Sequence, residues 1–359
     1  MAWYVGGALL IAATIPNHPL AGGGEMPMMI MGGNDFMGWF KAAGRGAGIN
    51  TFHSYGNGKH IAPQLAAAGR DNVFVAAGIP CGCCGSDAPR WQPMNVTTAM
   101  WYIDDELAQL NTSYVDLLLV HHRCKTEAET ASVWEALEAA KRAGKARHIG
   151  VSNFNTHDLR ALLTTAKEPV EAMEAHFGVG VMDFETLAFA REHKIHPIAF
   201  SSLSEASTDL ATLHAAVAPV AEAHNVSSAQ VMYAYVYAKD ITVLSSYSPA
   251  HQKYVQQDLA IFSIRLTAHE MFALDAVTAG KRTCTDCFTD ECQACARTLH
   301  QLGCPLGMDF PVWGRDNKDG AECLACAATP EHEAAVMRAC GRSGRGETLE
   351  TMVPKACGI

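Results

Sequence analysis

The sequence has little positive charge and no long apolar run, which argues against two classes of partner. Acidic residues outnumber basic residues by 37 to 27, the formal net charge is -10, and no basic cluster interrupts this excess. Because nucleic acids are bound by patches of lysine and arginine, we expect no nucleic-acid partner. The apolar N-terminal run, Met1–Thr14, is too short to span a bilayer and lacks the basic start of a signal peptide. We therefore expect no membrane span, and a trimmed or atypical targeting segment is the alternative for this run.

Cysteine is scarce until late in the chain. Four of the 13 cysteines lie in the first 280 residues, whereas nine lie between Cys284 and Cys357. A cysteine density of this kind is typical of a small cross-linked module. We predict a large domain over residues 1–280 and a Cys-rich tail over residues 281–359.

The tail contains three Cys-x2-Cys pairs, a spacing that lets two thiolates bind one ion. The pairs are Cys284 with Cys287, Cys292 with Cys295 and Cys323 with Cys326. Zinc or an iron-sulfur cluster is one interpretation of these pairs. Disulfides are favoured over metal, because only four residues separate Cys287 from Cys292 and the other cysteines are scattered. Tail disulfides imply an oxidising compartment, an organelle lumen or the exterior, whereas a tail without them implies the cytoplasm.

Segments with the length of buried strands alternate with helical patterns eight times before the tail. The predicted strands are Met28–Met31, Ile49–Phe52, Val73–Ile79, Val115–His121, His148–Ser152, Val170–Ala175, Pro197–Ser201 and Ile241–Ser245. Short connections of this kind give parallel strands, and eight such units close a (β/α)8 TIM barrel, an α/β fold that works at the carboxyl ends of its strands. We interpret Met1–Thr14 as a strand of an N-terminal hairpin that plugs the opposite end of the barrel.

Five segments then carry a resemblance to a known family. They span residues 24–32, 48–56, 115–121, 144–154 and 229–231, and the fourth reads Gly-Lys-Ala-Arg-His-Ile-Gly-Val-Ser-Asn-Phe. Each segment alone is a weak signal, but in this order and spacing they resemble the aldo-keto reductases over residues 20–279. The resemblance implies a barrel whose rim carries an aspartate, a tyrosine, a lysine and a histidine for NADPH-dependent reduction of carbonyl compounds. Tyr55 and His121 match the tyrosine and the histidine.

Two of these four catalytic groups are missing. The position of the aspartate, five residues before Tyr55, is Asn50, and the position of the lysine is Gly78. A tyrosine hydroxyl, with an ordinary pKa of about 10, becomes a better acid when a neighbouring ammonium stabilises the phenolate. Glycine supplies no such charge, and the loss of acid catalysis costs about 10²- to 10⁴-fold. Tyr55 and His121 are therefore predicted to be a remnant pair.

The resemblance also implies a thinned cofactor site. Ser152 and Asn153 match a Ser-Asn pair that holds the nicotinamide amide. The position of the glutamine that assists this pair in the family is occupied here by Ala172. Phe200 matches the aromatic residue that stacks on nicotinamide, and Ser201, Ser202 and Leu203 match the start of a loop around the pyrophosphate. The lysine and arginine that grip the 2′-phosphate are absent from residues 245–251. Without these charge-assisted bonds we expect weak NADPH binding at best.

A second group of residues is expected at the same rim. Thiols and imidazoles follow the third and fourth predicted strands, namely Cys81, Cys83, Cys84, His121, His122 and Cys124. A soft metal ion accepts such ligands, although the spacing matches no recognised zinc pattern. A disulfide from Cys81 or Cys84 to Cys124, or simple burial, explains the same residues and is favoured over a metal.

Two functions therefore remain open. The first is a non-catalytic barrel whose tail makes it a binding or structural subunit of a larger protein assembly. The second is an NADPH-dependent reductase of small carbonyl compounds that retains Tyr55 and His121. We favour the first, because the missing groups act together in hydride transfer.

Overall fold

Eight parallel strands form a closed barrel in the computed structural model, which describes residues 15–81, 93–203, 210–247 and 249–278. The strands in chain order are β1 Asn17–Pro19, β2 Glu25–Pro27, β3 Met29–Gly32, β4 Ala47–Phe52, β5 Val73–Ile79, β6 Val115–Val120, β7 Ala146–Ser152, β8 Ala172–His176, β9 His196–Phe200 and β10 Thr242–Ser246. The barrel runs in the order β3 to β10, and β10 closes it by pairing with both β9 and β3. The predicted TIM barrel is confirmed, and each of its eight strands lies where the apolar pattern placed it, to within two residues at either end.

Helices connect the strands and cover the outside of the barrel. They are α1 Met37–Ala43, α2 Gly58–Ala68, α3 Val96–Gln109, α4 Glu127–Arg142, α5 Thr156–Leu163, α6 Phe184–Glu192, α7 Leu210–His224, α8 Ser228–Ala238, α9 Val255–Ala260 and α10 Ala268–Thr278. Short 3-10 turns lie at His53–Tyr55, Arg70–Asn72, Pro249–Tyr254 and Ile261–Ser263. No helix in the described ranges is both long and apolar enough to cross a membrane.

Side chains alternate between two apolar layers along the barrel strands, as the two-residue period of a strand requires. One set, which includes Val75, Leu118 and Met173, joins the helices in the larger outer core. The other set fills the inside of the barrel and comprises Leu20, Met26, Ile30, Phe52, Phe74, Ala76, Leu117, Leu119, Ala172 and Ile198. The barrel is therefore packed with side chains, and only residues at its carboxyl-terminal rim are placed for chemistry.

Local polar contacts fix where the helices begin beside that rim. The side chain of Asn155 accepts a hydrogen bond from the backbone of Asp158, and the side chain of Asp158 accepts one in return, which forms a capping box at the start of α5. Thr126 and Glu129 make the same arrangement at the start of α4. Because both helices begin soon after a strand ends, these caps hold the strand ends in place.

An antiparallel hairpin of β1 and β2 closes the amino-terminal end of the barrel. Leu20 and Met26 insert into the interior layer, and the backbone N–H of Gly22 donates to Glu171 Oε2 at 2.9 Å. Glu171 also pairs with Lys141 at 2.8 Å and with His148 at 2.7 Å, so its buried carboxylate is well compensated. The predicted N-terminal hairpin is confirmed, and the strands that form it in the described residues lie within residues 17–27. Residues 1–14 and the Cys-rich tail lie outside the described residues.

A disulfide joins Cys81, just beyond β5, to Cys124, just beyond β6. The two Cα atoms are 4.8 Å apart, and both residues are buried. The Cys124 backbone N–H also donates to Thr130 Oγ1 at 3.0 Å. The bond therefore ties together the two loops that flank the predicted site.

Loss of this disulfide is expected to destabilise the barrel. The bond closes a loop with a sequence separation of 43 residues, for which the chain-entropy contribution is about 4 kcal/mol. Cys81→Ser and Cys124→Ser should each lower the free energy of unfolding by about this amount, and the double variant should lose no more than either single one. Denaturant unfolding of the three variants measures this. If the losses in free energy of unfolding add in the double variant, or if the denaturation midpoint of the single variants is unchanged, Cys81 and Cys124 are not joined by a disulfide.

Candidate active site

Tyr55 and His121 meet at the carboxyl-terminal rim, as the sequence predicts. Tyr55 ends the 3-10 turn that follows β4, and His121 directly follows β6. Their ring centroids are 5.7 Å apart with the planes nearly perpendicular. Tyr55 is 43% exposed, whereas His121 is only 7% exposed and lies 3.3 Å, through Nδ1, from Ser54 Oγ. The pair presents a phenol and an imidazole to whatever enters the mouth of the barrel.

Phe52 occupies the space that a side chain at position 78 would need. Gly78 is the direct cross-strand neighbour of Phe52 in the β4–β5 register. A Cβ at Gly78 would lie 2.0 Å from Cε1 of the Phe52 ring, far inside van der Waals contact. The ring also stacks on His121 at a centroid distance of 3.9 Å and meets Tyr55 edge-on at 5.4 Å. An aromatic ring thus fills the interior beside Tyr55 and His121, where the resemblance implies an ammonium group.

Asn50 is paired with a buried carboxyl group. Its Nδ2 donates to Oε2 of Glu174 at 2.8 Å across the inside of the barrel. Burial raises the pKa of Glu174 to about 8, and the hydrogen bond from Asn50 opposes this rise only in part. Glu174 makes no ion pair with the other described residues of the chain. At neutral pH the interior therefore holds a neutral amide and a mostly protonated acid.

The Ser-Asn pair lies at the end of β7, within reach of the same mouth. Ser152 is fully buried, and its Oγ accepts a hydrogen bond from Asn153 Nδ2 at 3.0 Å. The same amide group donates to the backbone oxygen of His121 at 2.9 Å. Asn153 has a positive φ of 60°, which asparagine tolerates better than most residues. These bonds orient the amide beside His121, while Ala172 contributes only an apolar side chain to the barrel interior.

The residues at the end of β9 line the next part of the rim. The Phe200 ring stacks on His176 at 5.6 Å, and His176 Nε2 lies 3.2 Å from the Ser201 backbone oxygen. Ser201 has a positive φ of 51°, a conformation that costs a non-glycine residue about 1–2 kcal/mol and is concentrated at functional sites. Ser202 is buried, and its hydroxyl has no hydrogen-bond partner among the described residues. Leu203 is 38% exposed.

The predicted phosphate end of the cofactor site carries an acid. Ser245, on β10, donates through Oγ to Asp258 Oδ2 at 3.1 Å, and the hydroxyl of Tyr233 donates to Ser245 Oγ at 3.2 Å. Burial raises the pKa of Asp258 to about 6, so this carboxyl group is still largely ionised at neutral pH. Neither the Ser245–Asp258 pair nor the Asn50–Glu174 pair offers a positive charge to a phosphate group.

The predicted group of thiols and imidazoles is only partly within the described residues. Cys81 and Cys124 are joined to each other, and the rings of His121 and His122 lie 4.3 Å apart. Cys83 and Cys84 fall outside the described residues. Among the residues that the structure describes, no three histidine, cysteine or acidic side chains form a group that could hold a metal ion.

The sequence reasoning did not single out Phe52, Glu174 or Asp258, whose contacts shape the described part of the rim. The two predicted strands that contain Phe52 and Gly78 pair in parallel, and their register places Phe52 beside Gly78. This register would have shown that a large residue at position 52 faces a glycine at position 78. Glu174 lies on a predicted strand between two apolar neighbours, and a strand with both faces buried indicates that this acid is buried as well. No signal in the sequence pairs Asp258 with Ser245, since α9 reaches β10 only through tertiary packing.

The comparisons with known proteins agree with this fold. The model of the Aldo/keto reductase family matches residues 46–279. The chain is 24% identical over 245 residues to the uncharacterized oxidoreductase YtbE of Bacillus subtilis, covering 66% of this chain and 81% of that protein. It is 31% identical over 236 residues to the methylglyoxal reductase YeaE of Escherichia coli, covering 63% of this chain and 78% of that protein.

Among solved structures, the aldo-keto reductase of Bombyx mori in complex with NADP superposes with a TM-score of 0.63 at 17% identity, covering 74% of this chain and 93% of that one. Likeness at this level of identity shows the shared fold. With the family match over most of the barrel, these findings place the chain in the aldo-keto reductase family.

Proposed function

We propose that this chain is a non-catalytic member of the aldo-keto reductase family that acts as a binding or structural subunit. The observation that carries the proposal is the packing of Phe52 against Gly78. The ring supplies bulk in the interior of the barrel where reduction needs a positive charge beside the tyrosine. Tyr55 and His121 then serve as hydrogen-bonding groups at the mouth of the barrel.

The other changes in the interior are consistent with this proposal. An aspartate at position 50 would place a second carboxyl group 2.8 Å from Glu174, and the two would repel each other unless a cation lay between them. Asparagine removes that conflict by donating a hydrogen bond. The interior therefore carries no charge at Asn50, Gly78 or the protonated Glu174. Introducing the family's residue at only one of positions 50 and 78 is not expected to restore carbonyl reduction.

A second candidate function is the NADPH-dependent reduction of small carbonyl compounds. The observation that favours it is the exposed position of Tyr55 next to His121, with ring centroids 5.7 Å apart. A carbonyl oxygen that entered the mouth could accept a hydrogen bond from both groups. This function needs a cation from elsewhere in the chain to assist Tyr55.

We further propose that the Cys-rich tail, residues 281–359, is cross-linked by disulfides and provides the contact with a larger protein assembly. The chain would then reside in an oxidising compartment. The pairing of Cys81 with Cys124 in the barrel supports such a location, because disulfides persist where thiols are not kept reduced.

The direct test of function is turnover. The full-length protein, supplied with NADPH or NADH and a panel of small aldehydes that includes methylglyoxal, should oxidise neither nucleotide above the uncatalysed background. The Escherichia coli methylglyoxal reductase in the same assay is the positive control. Aldehyde-dependent oxidation that disappears in Tyr55→Phe and His121→Ala would overturn the proposal and support the reductase.

A double-mutant cycle tests whether Phe52 fills the space at position 78. Gly78→Ala should lower the free energy of unfolding by about 1–3 kcal/mol through overpacking, and Phe52→Ala by about 3–5 kcal/mol through a cavity. The double variant should lose clearly less than the sum, because the new methyl group enters the space that the ring leaves.

Gly32→Ala is the matched control for this cycle. It is also a strand glycine of the barrel, but a Cβ there meets its nearest atom, Leu244 Cδ1, only at 3.6 Å. Its effect should stay below about 1 kcal/mol in either direction. Additive losses at positions 52 and 78, or an effect of Gly78→Ala no larger than that of Gly32→Ala, would show that the ring does not occupy this space.

The pH dependence of stability should report the state of Glu174. Its pKa is raised from 4.5 to about 8 in the fold, so the folded chain keeps the proton between these values while the unfolded chain loses it. The stability due to Glu174 is therefore fully present below pH 4.5 and falls, by up to about 1.4 kcal/mol per pH unit, as the pH rises towards 8.

Glu174→Gln cannot titrate, so its free energy of unfolding should rise relative to wild type between pH 5 and pH 8. Burial raises the pKa of Glu106 to about 8 as well, but Glu106 is present in both proteins and its contribution cancels in the difference. Denaturant unfolding at several pH values measures the difference. A difference that does not change with pH would mean that Glu174 is ionised in the fold.

A further inference from the structure

Helix α10 presents an apolar face to solvent. Its inner side joins the outer core through Leu274 and Val277, and α7 is its neighbour there. The exposed residues on its other side are Ala268, His269, Phe272, Ala273 and Ala276. Phe272 is 74% exposed, more than any other large apolar side chain in the described ranges. Four of the five exposed residues are apolar, and we call these four the outer face of α10.

Helix α4 shows how a surface helix of this barrel usually looks. Its exposed positions include Glu127, Glu135 and Arg142, whereas its buried positions are mostly apolar. A helix that is apolar on both sides is normally buried on both sides. Neighbouring apolar residues that face solvent mark a surface that another element covers. We therefore expect the outer face of α10 to have a partner.

The chain that continues from α10 carries a matching apolar stripe. Residues 291–302 read Glu-Cys-Gln-Ala-Cys-Ala-Arg-Thr-Leu-His-Gln-Leu, and they lie outside the described residues. Their apolar residues recur at a helical spacing, at positions Cys292, Cys295, Ala296, Leu299 and Leu302. In a helix these five residues would share an arc of about 120°, and the rest of the surface would be mostly polar. Such a stripe needs an apolar surface to cover it.

The two apolar surfaces agree in length and lie within reach of each other. The outer face spans residues 268–276 and the stripe spans residues 292–302, which in helices are about 12 Å and about 15 Å long. Residues 279–290 join the two and can extend over about 40 Å. This reach exceeds the length of α10, about 16 Å. The segment can therefore turn back along α10, as in a pair of antiparallel helices.

We propose that residues 291–302 form a helix that packs antiparallel along the outer face of α10. The contact buries Phe272 and the apolar stripe against each other, so both are removed from water. The inference goes beyond the proposed function, because it holds whether or not the barrel is catalytic. It concerns one segment of the tail, and residues 303–359 remain available for the proposed contact with a larger assembly.

Limited trypsin digestion of the full-length protein, under non-reducing conditions, tests this packing. The segment contains one trypsin site, Arg297, and the connection before it contains Lys281 and Arg282. In the wild type we expect cleavage after Arg297 to be at least about tenfold slower than cleavage after Arg282, because only the first bond is protected by packing. Phe272→Glu should speed cleavage after Arg297 about tenfold, since a carboxylate cannot be buried against the stripe.

Trp101→Glu is the matched control for this substitution. Trp101 is also an exposed aromatic residue, at 58%, but it lies on α3, which packs between α2 and α4. It should leave the rate of cleavage after Arg297 unchanged, and both variants should keep the circular dichroism of the wild type. Leu299→Glu changes the other side of the contact and should speed cleavage as much as Phe272→Glu. The two changes together should add nothing further.

Equal rates of cleavage after Arg297 and Arg282 in the wild type would overturn the inference. So would a rate after Arg297 that is the same in Phe272→Glu and the wild type, because the segment would then be protected elsewhere. Sedimentation of the same proteins identifies the alternative occupant. If a second copy of the chain covers α10, the wild type is a dimer that dissociates in Phe272→Glu while the cleavage pattern of the tail stays the same.

Discussion

The contact between the Phe52 ring and Gly78 determines what the rest of this rim can do. The two residues face each other across β4 and β5, and the ring lies where a longer side chain at position 78 would begin. The same ring stacks on His121 and supports Tyr55 from the side. The Phe52 ring thus contributes apolar packing that helps to position both polar residues at the mouth. Packing of this kind fixes geometry well, but it supplies no positive charge that would stabilise a phenolate.

A neutral interior follows from that packing. Two buried carboxyl groups this close together repel each other, and among the described residues Glu174 instead accepts a hydrogen bond from the amide of Asn50. The changes at positions 50 and 78 are therefore parts of one rearrangement of charge and volume. The family fold is kept around this rearrangement.

Much of the fold could be predicted from the sequence, because apolar segments of strand length alternate with helical patterns along the whole barrel. Ser152 and Asn153 could be placed at the rim for the same reason, since they end or follow a predicted strand, whereas Tyr55 and His121 were identified through the resemblance to the aldo-keto reductases. The N-terminal hairpin was predicted, but its residues, 17–27, were not, because a short turn and a hydrogen bond from Gly22 to the buried Glu171 help to hold it. The predicted strand, Met1–Thr14, lies outside the described residues. The contacts of Phe52, Glu174 and Asp258 depend on register and on packing between distant elements, which composition and period do not contain. The structure of the tail could not be predicted, because its cysteine spacing fits disulfides and metal sites alike.

The measurement that tests the neutral interior most directly is an infrared difference spectrum of the wild-type protein and Glu174→Gln at pH 7. The account predicts a band from a protonated, buried carboxylic acid in the wild type that is lost in the variant and fades as the pH is raised past about 8. A spectrum in which Glu174 contributes only ionised carboxylate bands at pH 7 would contradict it. Such a result would indicate that the interior stabilises a negative charge at Glu174.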